Sequence, residues 1–184
     1  TSMGSTGAGN NANNIYIANN VINGGAATSA YGGYYGIYMY GESSTAFGTD
    51  TIHIINNEIK NFYYYGIYGY YNRVVNIENN NIHKTGRTSA TSQYGIYLYY
   101  SSKVRILNNR IHDFSTATTN STNSVYPIYM VYPTNDNNAA NATLIANNAI
   151  YNQYTYRGIS YGIYLSSGNN FRMVHNTVDF ADTF

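Results

Sequence analysis

The chain contains no cysteine and no tryptophan, and only 2 of its 184 residues are proline. Without cysteine, disulfide bonds and thiolate metal sites are excluded. Only 9% of the residues are charged, and the formal net charge is +1, whereas charged residues make up ~25% of typical globular proteins. A chain this neutral has no electrostatic footprint for nucleic acid or acidic membranes, so neither is expected as a partner.

Long apolar stretches and helix-forming residues are also scarce. No apolar run approaches the ~18 residues of a transmembrane helix, so no membrane insertion is expected. Leucine occurs only four times, and residues 1–14 are polar and small, with no visible signal peptide. The chain is instead rich in tyrosine, with 24 residues, and in asparagine, with 29. These residue types favour strands and tight turns.

Two motifs recur along the chain. Y-G-I-Y begins at residues 35, 65, 94 and 161, and Pro127 replaces its glycine in a fifth copy. This glycine position is expected at a corner of the chain. The second motif reads apolar-x-apolar-x-N-N-x-Ile, and it occupies residues 15–22, 52–59, 75–82, 104–111, 143–150 and 171–178. The last copy has His175 in place of the first Asn.

The spacing of these motifs predicts a solenoid. Five residues separate the second apolar position from the final Ile or Val in all six copies, so one corner of each coil is rigid. The other two connections vary in length and accept insertions. The shortest coil has about 23 residues, which suits a parallel β-helix. We therefore predict an all-β solenoid of about six coils, each with three short strands that become stable only by stacking.

Alternation within each strand predicts which side chains form the core. The first strand points Ile37, Ile67, Ile96, Ile128 and Ile163 inward, followed by Met39, Gly69, Leu98, Met130 and Leu165. The second strand contributes Ile15, Ile52, Val75, Val104, Thr143 and Phe171, then Ile17, Ile54, Ile77, Ile106, Ile145 and Met173. The third strand adds Ile22, Ile59, Ile82, Ile111, Ile150 and Val178.

The Asn pairs fall at the rigid corner, where Asn tolerates a left-handed backbone and bonds to its own turn. The second residue of each pair recurs in register, which predicts an amide ladder along the corner. Its members are Asn20, Asn57, Asn80, Asn109, Asn148 and Asn176.

The N-N-x-I and Y-G-I-Y repeats resemble the right-handed parallel β-helix repeat of the pectin-lyase-like superfamily, across residues 14–179. They are most similar to the Asn- and Tyr-rich versions in large secreted and cell-surface proteins of bacteria with type IX secretion. The resemblance implies a right-handed solenoid and an extracellular or cell-surface location. It assigns no activity, because the superfamily includes lyases, hydrolases, esterases, adhesins and phage tailspikes.

The residues that carry chemistry in such enzymes are missing here. The pectinolytic motifs (Asp pairs, Gly-His-Gly and Arg-Ile-Lys) do not occur, and the eight acidic residues form no pair on adjacent coils. Arg105 is expected to be a solvated outward side chain. His83 and His112 fall on adjacent coils and could form a metal pair, but their aligned neighbours suggest an ordinary surface. We therefore predict no catalytic residue, no metal and no cofactor. A polysaccharide lyase or glycoside hydrolase remains an alternative.

One feature exceeds what the fold requires, namely outward tyrosines on the first strand. Tyrosine offers a large contact surface with a polar tip. Three interpretations stay open: a purely stabilising ladder, a glycan-binding face, and a face that packs against protein. The candidate ligand-contact residues are Tyr38, Tyr40, Tyr68, Tyr70, Tyr97, Tyr99, Tyr129 and Tyr164.

Residues 1–184 read as a single β-helix segment with no linker. Neither end supplies an obvious cap, so we expect a segment of a longer chain, or copies that stack end to end as a fibre. The favoured function is a secreted or cell-surface structural and adhesive module. Its expected partner is a polysaccharide or cell-surface glycan, with protein as the alternative and copies of itself as the partner in a fibre.

Overall fold

A computed structural model describes residues 14–25, 33–41, 49–87, 91–115, 122–132 and 141–180. Within these residues, seventeen short strands form three sheets in which all neighbouring strands are parallel. Each coil passes once through each sheet, so strand n pairs with strand n + 3 in the next coil. The predicted all-β solenoid with about six coils is confirmed.

The first sheet is built on the Y-G-I-Y motif and is called the tyrosine sheet below. It comprises β3 (Tyr35–Tyr40), β6 (Tyr65–Tyr70), β9 (Gln93–Tyr99), β12 (Val125–Val131) and β15 (Ile163–Ser166). Its register aligns the isoleucines of the motif, beginning with Ile37 opposite Ile67. In-register stacking therefore places the same residue type at the same point of each coil.

The second and third sheets are the two arms of the Asn motif. The second sheet comprises β1 (Ile15–Ala18), β4 (Thr49–Ile55), β7 (Asn72–Glu78), β10 (Val104–Leu107), β13 (Thr143–Ala146) and β16 (Phe171–Val174). The third comprises β2 (Val21–Asn23), β5 (Glu58–Lys60), β8 (Asn81–His83), β11 (Arg110–Ser115), β14 (Ala149–Tyr154) and β17 (Thr177–Phe180).

The predicted inward positions form the core. In the central coils they are completely buried, as at Ile67, Ile77 and Ile82, and each such side chain contributes about 1.5–3 kcal/mol. Met173 and Val178 stay exposed because, within the described residues, only one neighbouring coil covers them. The core thus follows the period-2 pattern of the strands, with its strongest packing in the middle of the described segment.

Two buried rings extend this core beyond the motif. Phe62 and Phe114 have no solvent exposure and meet edge to face, with ring centroids 5.6 Å apart. Each follows the inward isoleucine of the third sheet by three residues. The repeated spacing does not mark these positions, because the aligned residues in other coils are Thr85 and Gln153.

At the Asn corner, the first residue of each pair forms the left-handed turn and the second forms the hydrogen-bonded ladder. The first residue of each pair has a left-handed backbone, with φ between 53° and 59° from Asn19 to His175. The second residue forms the predicted ladder. The backbone N–H and side-chain Nδ2 of Asn80 both donate to Oδ1 of Asn109 at 2.9 Å. Asn80 Nδ2 also donates to the carbonyl of Ile54 at 2.8 Å. The ladder is therefore hydrogen-bonded from Asn20 to Asn176, and its four central members are buried.

The glycine of Y-G-I-Y does not lie at a corner as expected. Gly36, Gly66 and Gly95 lie within strands, and close packing explains them. A Cβ at Gly66 would meet the carbonyl oxygen of Gly95 at 2.6 Å and Cγ2 of Ile82 at 2.9 Å. The glycine position faces the core directly before another inward residue, so the crowding at Gly36, Gly66 and Gly95 favours glycine, whereas β12 holds Pro127 there.

Candidate functional site

The tyrosines of the tyrosine sheet form four rows that run along the solenoid axis. Row A contains Tyr35, Tyr65, Tyr94, Tyr126 and Tyr161. Row B contains Tyr38, Tyr68, Tyr97, Tyr129 and Tyr164. Row C contains Tyr40, Tyr70 and Tyr99. Row D contains Tyr71, Tyr100 and Tyr132, at the corner just after the sheet. The eight predicted contact residues make up rows B and C.

Rings within a row stack on one another, which confirms the tyrosine ladder. In row B the centroid distances from Tyr38 to Tyr164 are 5.2, 5.1, 5.1 and 4.8 Å. In-register parallel strands hold side chains ~4.8 Å apart, an interval that suits offset stacking of aromatic rings. The ring faces are therefore largely covered by neighbours, and the ring edges and hydroxyls form the outer surface.

Rows pack against one another in two ways. Rows A and B meet edge to face, as Tyr65 and Tyr68 do at 5.0 Å and 71°. Rows C and D also meet edge to face, as Tyr70 and Tyr71 do at 4.4 Å and 80°. Between rows B and C the rings lie side by side, with Tyr38 and Tyr40 at 6.5 Å and 11°. Rows B and C thus form a grid of phenols with regular spacing in both directions.

The grid is electrically neutral and partly exposed, with two exposed rings in its first coil and six half-buried rings in the others. Tyr38 and Tyr40 are 53% and 61% exposed, and the remaining outward positions of row C hold Val131 and Ser166. Burial, assisted by neighbouring tyrosines, raises the pKa of Tyr68 and Tyr97 to about 12. These phenols therefore keep their proton at neutral pH and can both donate and accept hydrogen bonds.

Sequence reasoning missed row A as part of this face. Strict alternation from Ile37 points Tyr35 toward the core, but its ring lies outside against Tyr38 and Tyr65. The tight glycine position explains the difference, because Gly36 and Ile37 both face inward and the alternation shifts by one residue. The repetition of the first tyrosine in all five Y-G/P-I-Y copies was the available signal.

Row D lies at the corner that directly follows the strands of the tyrosine sheet. The backbone of Tyr71, Tyr100 and Tyr132 is left-handed, with φ of 53°, 49° and 48°. This conformation is uncommon for a bulky residue and costs roughly 1–2 kcal/mol. Its recurrence in three consecutive coils was not readable from the sequence.

Comparison with known proteins agrees with this geometry. A family model described as "Right handed beta helix region" matches residues 8–182. The chain belongs to this right-handed β-helix family. Searches of curated proteins and of solved structures found no match to this chain. The membership establishes the handedness of the solenoid and assigns no ligand to the tyrosine face.

The third sheet of the β-helix carries a second cluster, around His83 and His112. Their imidazoles stack at 5.1 Å, and Tyr151 stacks on His112 at 4.6 Å. Both histidines are buried, so the expectation of an ordinary surface was wrong for them. Their aligned neighbours Lys60 and Tyr151 suggested solvent, but stacking on the adjacent coils covers the rings.

Carboxylates hold these histidines from both sides. Glu58 contacts Nε2 of His83 and Nζ of Lys60, both at 3.0 Å. These two hydrogen bonds lower the pKa of Glu58. Asp113 contacts Nδ1 of His112 at 2.7 Å. Burial lowers the pKa of His112, although Asp113 opposes the shift. The cluster is a hydrogen-bonded network away from the tyrosine face.

The β-helix also buries two cations that sequence reasoning missed. Lys84 lies over the ring of Phe62 at 5.3 Å and donates to the carbonyl of Tyr63 at 3.2 Å. Burial lowers the pKa of Lys84 to about 7. Arg87 lies over the ring of Tyr63 at 4.9 Å and donates to the carbonyl of Asn61 at 3.1 Å. Both side chains tie the residues after β8 to the preceding coil.

The remaining expectations concern Arg105, metals and membranes. Arg105 is exposed, as expected, and approaches Glu78 at 3.9 Å. Among the described residues of the β-helix, no group of three or more His, Asp or Glu side chains is placed to hold a metal ion. In the same part of the chain, no helix is long and apolar enough to cross a membrane.

Proposed function

We propose that this β-helix is a structural and adhesive module whose rows B and C bind a neutral, extended polysaccharide lying along the solenoid axis. The observation that supports this most directly is the flat grid of neutral phenols, with stacked rings about 5 Å apart along the axis, as at Tyr68 and Tyr97. Consecutive sugar rings of an extended β-1,4-linked glycan repeat at nearly the same interval. Each coil would then present equivalent groups to each sugar.

The contact mode follows from the stacking of the rings. Because the ring faces cover one another, sugars would meet hydroxyls and ring edges rather than lie flat on single rings. Phenol hydroxyls both donate and accept, which suits the hydroxyls of a neutral sugar. Tyrosine also loses little conformational entropy on binding, and less still when both neighbours in the row already hold its ring.

Neutrality favours an uncharged glycan over a polyuronate. None of the nine Lys and Arg residues lies within the strands of the tyrosine sheet, which carry rows B and C. An acidic polymer on the phenol grid would lack charge-assisted partners. Among the described residues, Glu58, Glu78 and Asp113 interact with their own neighbours on other faces, which supports adhesion over catalysis. A lyase or hydrolase activity remains the alternative.

The proposal also concerns location. An adhesive module of this kind would act outside the cell or on a bacterial surface, as in the type IX-secreted proteins that its Asn- and Tyr-rich repeats resemble. A face that packs against protein is the competing use of the same rows. End-to-end assembly of copies stays a separate prediction, which sedimentation of the purified protein would detect.

Binding to a panel of insoluble polysaccharides tests the proposal. The panel includes neutral β-1,4-linked glycans and polygalacturonate as the acidic comparison. The double variant Tyr68→Phe, Tyr97→Phe keeps the stacked rings and removes two central hydroxyls, so it should bind more weakly. Tyr16→Phe is the matched control, because Tyr16 is 66% exposed on the second sheet and stacks on His53.

The expected result is retention of the wild type and of Tyr16→Phe by a neutral glycan, with weaker retention of the double variant. Equal unfolding midpoints would confirm that the loss is not a folding defect. Absence of retention across the whole panel would reject the glycan proposal, and so would unchanged retention of the double variant. Release of soluble oligosaccharides from any substrate would favour the enzyme alternative.

A further inference from the structure

Row D presents three phenols in a single exposed stack. Tyr71 and Tyr100 lie 5.0 Å apart with ring planes 5° from parallel, and Tyr100 and Tyr132 lie 4.9 Å apart at 12°. Tyr100 and Tyr132 are 41% and 42% exposed. Equivalent atoms of neighbouring rings therefore follow one another at about one strand spacing, on the solvent side of the corner.

The backbone at this corner does not require tyrosine. Each row D residue donates its N–H to the next coil, as Tyr100 does to the carbonyl of Val131 at 3.0 Å. Gly41 makes the same hydrogen bond, to the carbonyl of Tyr70 at 2.7 Å, and Ser167 adopts the same left-handed conformation. Small residues therefore serve the corner well, and the chain nevertheless holds three aligned phenols there against a conformational cost.

We propose that row D is a site of oxidative tyrosine cross-linking, in which a one-electron oxidant of the haem peroxidase class joins Tyr100 to Tyr132 as dityrosine. The bond would connect two neighbouring coils of one molecule. It would do so across residues that are 32 positions apart in sequence (132 − 100). Row D would thereby cross-link two neighbouring coils covalently at this corner of the solenoid.

The chemistry is balanced by hydrogen peroxide. Each phenol loses one electron and one proton to the peroxidase, which reduces one H₂O₂ to two H₂O for every pair of phenols oxidised. The two tyrosyl radicals form one carbon–carbon bond between the ring carbons next to the hydroxyls. The hydrogen on each of those carbons then moves to the phenol oxygen, which restores both aromatic rings. The product is lighter than the two tyrosines by two hydrogen atoms.

Other rows are less suited to this reaction. Burial raises the pKa of Tyr68 and Tyr97 in row B to about 12, so their phenols give up a proton less readily, and row A packs against them. In row C, a hydrogen bond between the side chains of Tyr70 and Tyr71 raises the pKa of Tyr70. Exposed rings also keep more freedom to tilt toward each other, which bond formation requires.

The test treats dilute protein with a haem peroxidase and hydrogen peroxide, and then isolates the monomer by size exclusion. Dityrosine fluorescence detects the bond, and mass spectrometry of the digest identifies the linked peptides. The expected product links Tyr100 to Tyr132. The oxidised monomer should also unfold at a higher urea concentration than the untreated protein.

Two variants locate the bond. Tyr100→Phe keeps the stack but removes the central phenol, so the linked peptide and the shift in urea midpoint should both be lost. Tyr16→Phe removes an exposed phenol that stacks on His53 and not on tyrosine, so its yield of the linked peptide should match the wild type. Any of three results would overturn the proposal: no dityrosine in the monomer, bonds only between molecules, or monomer bonds that map to other rows.

Discussion

Two of the corners that carry left-handed residues solve the same backbone problem with opposite residue types. At the Asn corner, Asn79 and Asn108 have φ of 58° and 56°, and at the tyrosine corner Tyr71 and Tyr100 have φ of 53° and 49°. Both corners stack in register from coil to coil. Asn is a residue that tolerates this conformation, whereas Tyr adopts it only at a cost.

The two corners differ in how far the fold depends on their side chains. At the Asn corner the second residue of each central pair is buried, and its amide bonds to the neighbouring amides and to the backbone. The tyrosine corner is partly exposed, and Gly41 makes the same backbone hydrogen bond there without any side chain. The backbone of the tyrosine corner therefore accepts smaller residues, as at Gly41 and Ser167, whereas the Asn corner depends on its amides.

Alkaline pH should have the largest effect on stability, and it should act on the tyrosine sheet and not on the Asn corner. The pKa of Tyr68 and Tyr97 is raised from 10.0 to about 12 by burial, while an unfolded tyrosine keeps a pKa near 10. Their contribution to stability is complete below pH 10 and is lost as the pH rises toward 12, because the unfolded chain ionises first. We expect the protein to unfold between pH 10 and pH 12. Circular dichroism measures the unfolding, and tyrosinate absorbance measures the ionisation of the tyrosines.

The Asn corner has no side chain that ionises in this range, so the loss should begin in the tyrosine sheet. Titration of all tyrosines near pH 10 without any loss of circular dichroism would contradict the stacked, partly buried arrangement.

Asn109→Ala should break the Asn corner severely. Asn109 accepts from the backbone N–H and Nδ2 of Asn80 and donates to the carbonyl of Ile77. The substitution leaves several buried polar groups without hydrogen-bond partners, and each such group costs about 1–3 kcal/mol. We therefore expect a loss of roughly 3–5 kcal/mol in the free energy of unfolding. Urea titration measures it. A loss below about 1 kcal/mol would show that the ladder is not essential.

Tyr68→Ala should cost less than the ladder substitution. The ring stacks on Tyr38 and Tyr97, and each aromatic pair contributes about 0.5–1.5 kcal/mol beyond burial. We expect a loss of about 2 kcal/mol by urea titration. Tyr68→Phe is the control and should remain close to the wild type because it keeps the stack. Equal losses in the two variants would assign the effect to the hydroxyl instead.

The smallest effect concerns backbone strain at Tyr100. Tyr100→Gly and Tyr100→Ala both remove the ring, but only glycine relieves the left-handed conformation. The glycine variant should therefore be the more stable by about 1 kcal/mol. The same pair of substitutions at the exposed Asn108 provides the comparison. Equal stability of the two Tyr100 variants would remove the argument that tyrosine is held there against backbone preference.

Strict spacing explains why much of the fold was predictable. The Asn ladder and the isoleucine core repeat at fixed separations, so Asn80 and Ile77 could be placed without coordinates. The contacts at Gly66 could not be foreseen, because they depend on the carbonyl of Gly95 in the next coil. That local crowding turns row A outward, and the period-2 rule fails there.

The sequence predicted the positions of the tyrosines in rows B and C, but it did not predict what they bind. Rows B and C follow from alternation, whereas the burial of His83 and His112 follows from stacking that no single coil reveals. Phe62 and Phe114 escaped notice because other coils hold Thr85 and Gln153 at the same position. Core residues that occur in only some coils cannot be recognised from the consensus of the repeat.

Chemical-shift mapping with a soluble β-1,4-linked oligosaccharide would test the central claim most directly. If the tyrosine face is a glycan-contact surface, ring signals of Tyr38, Tyr40, Tyr68 and Tyr97 should shift on addition of the sugar, while the amides of the Asn ladder stay unchanged. Shifts confined to the second or third sheet, or no shifts at saturating sugar, would contradict the account.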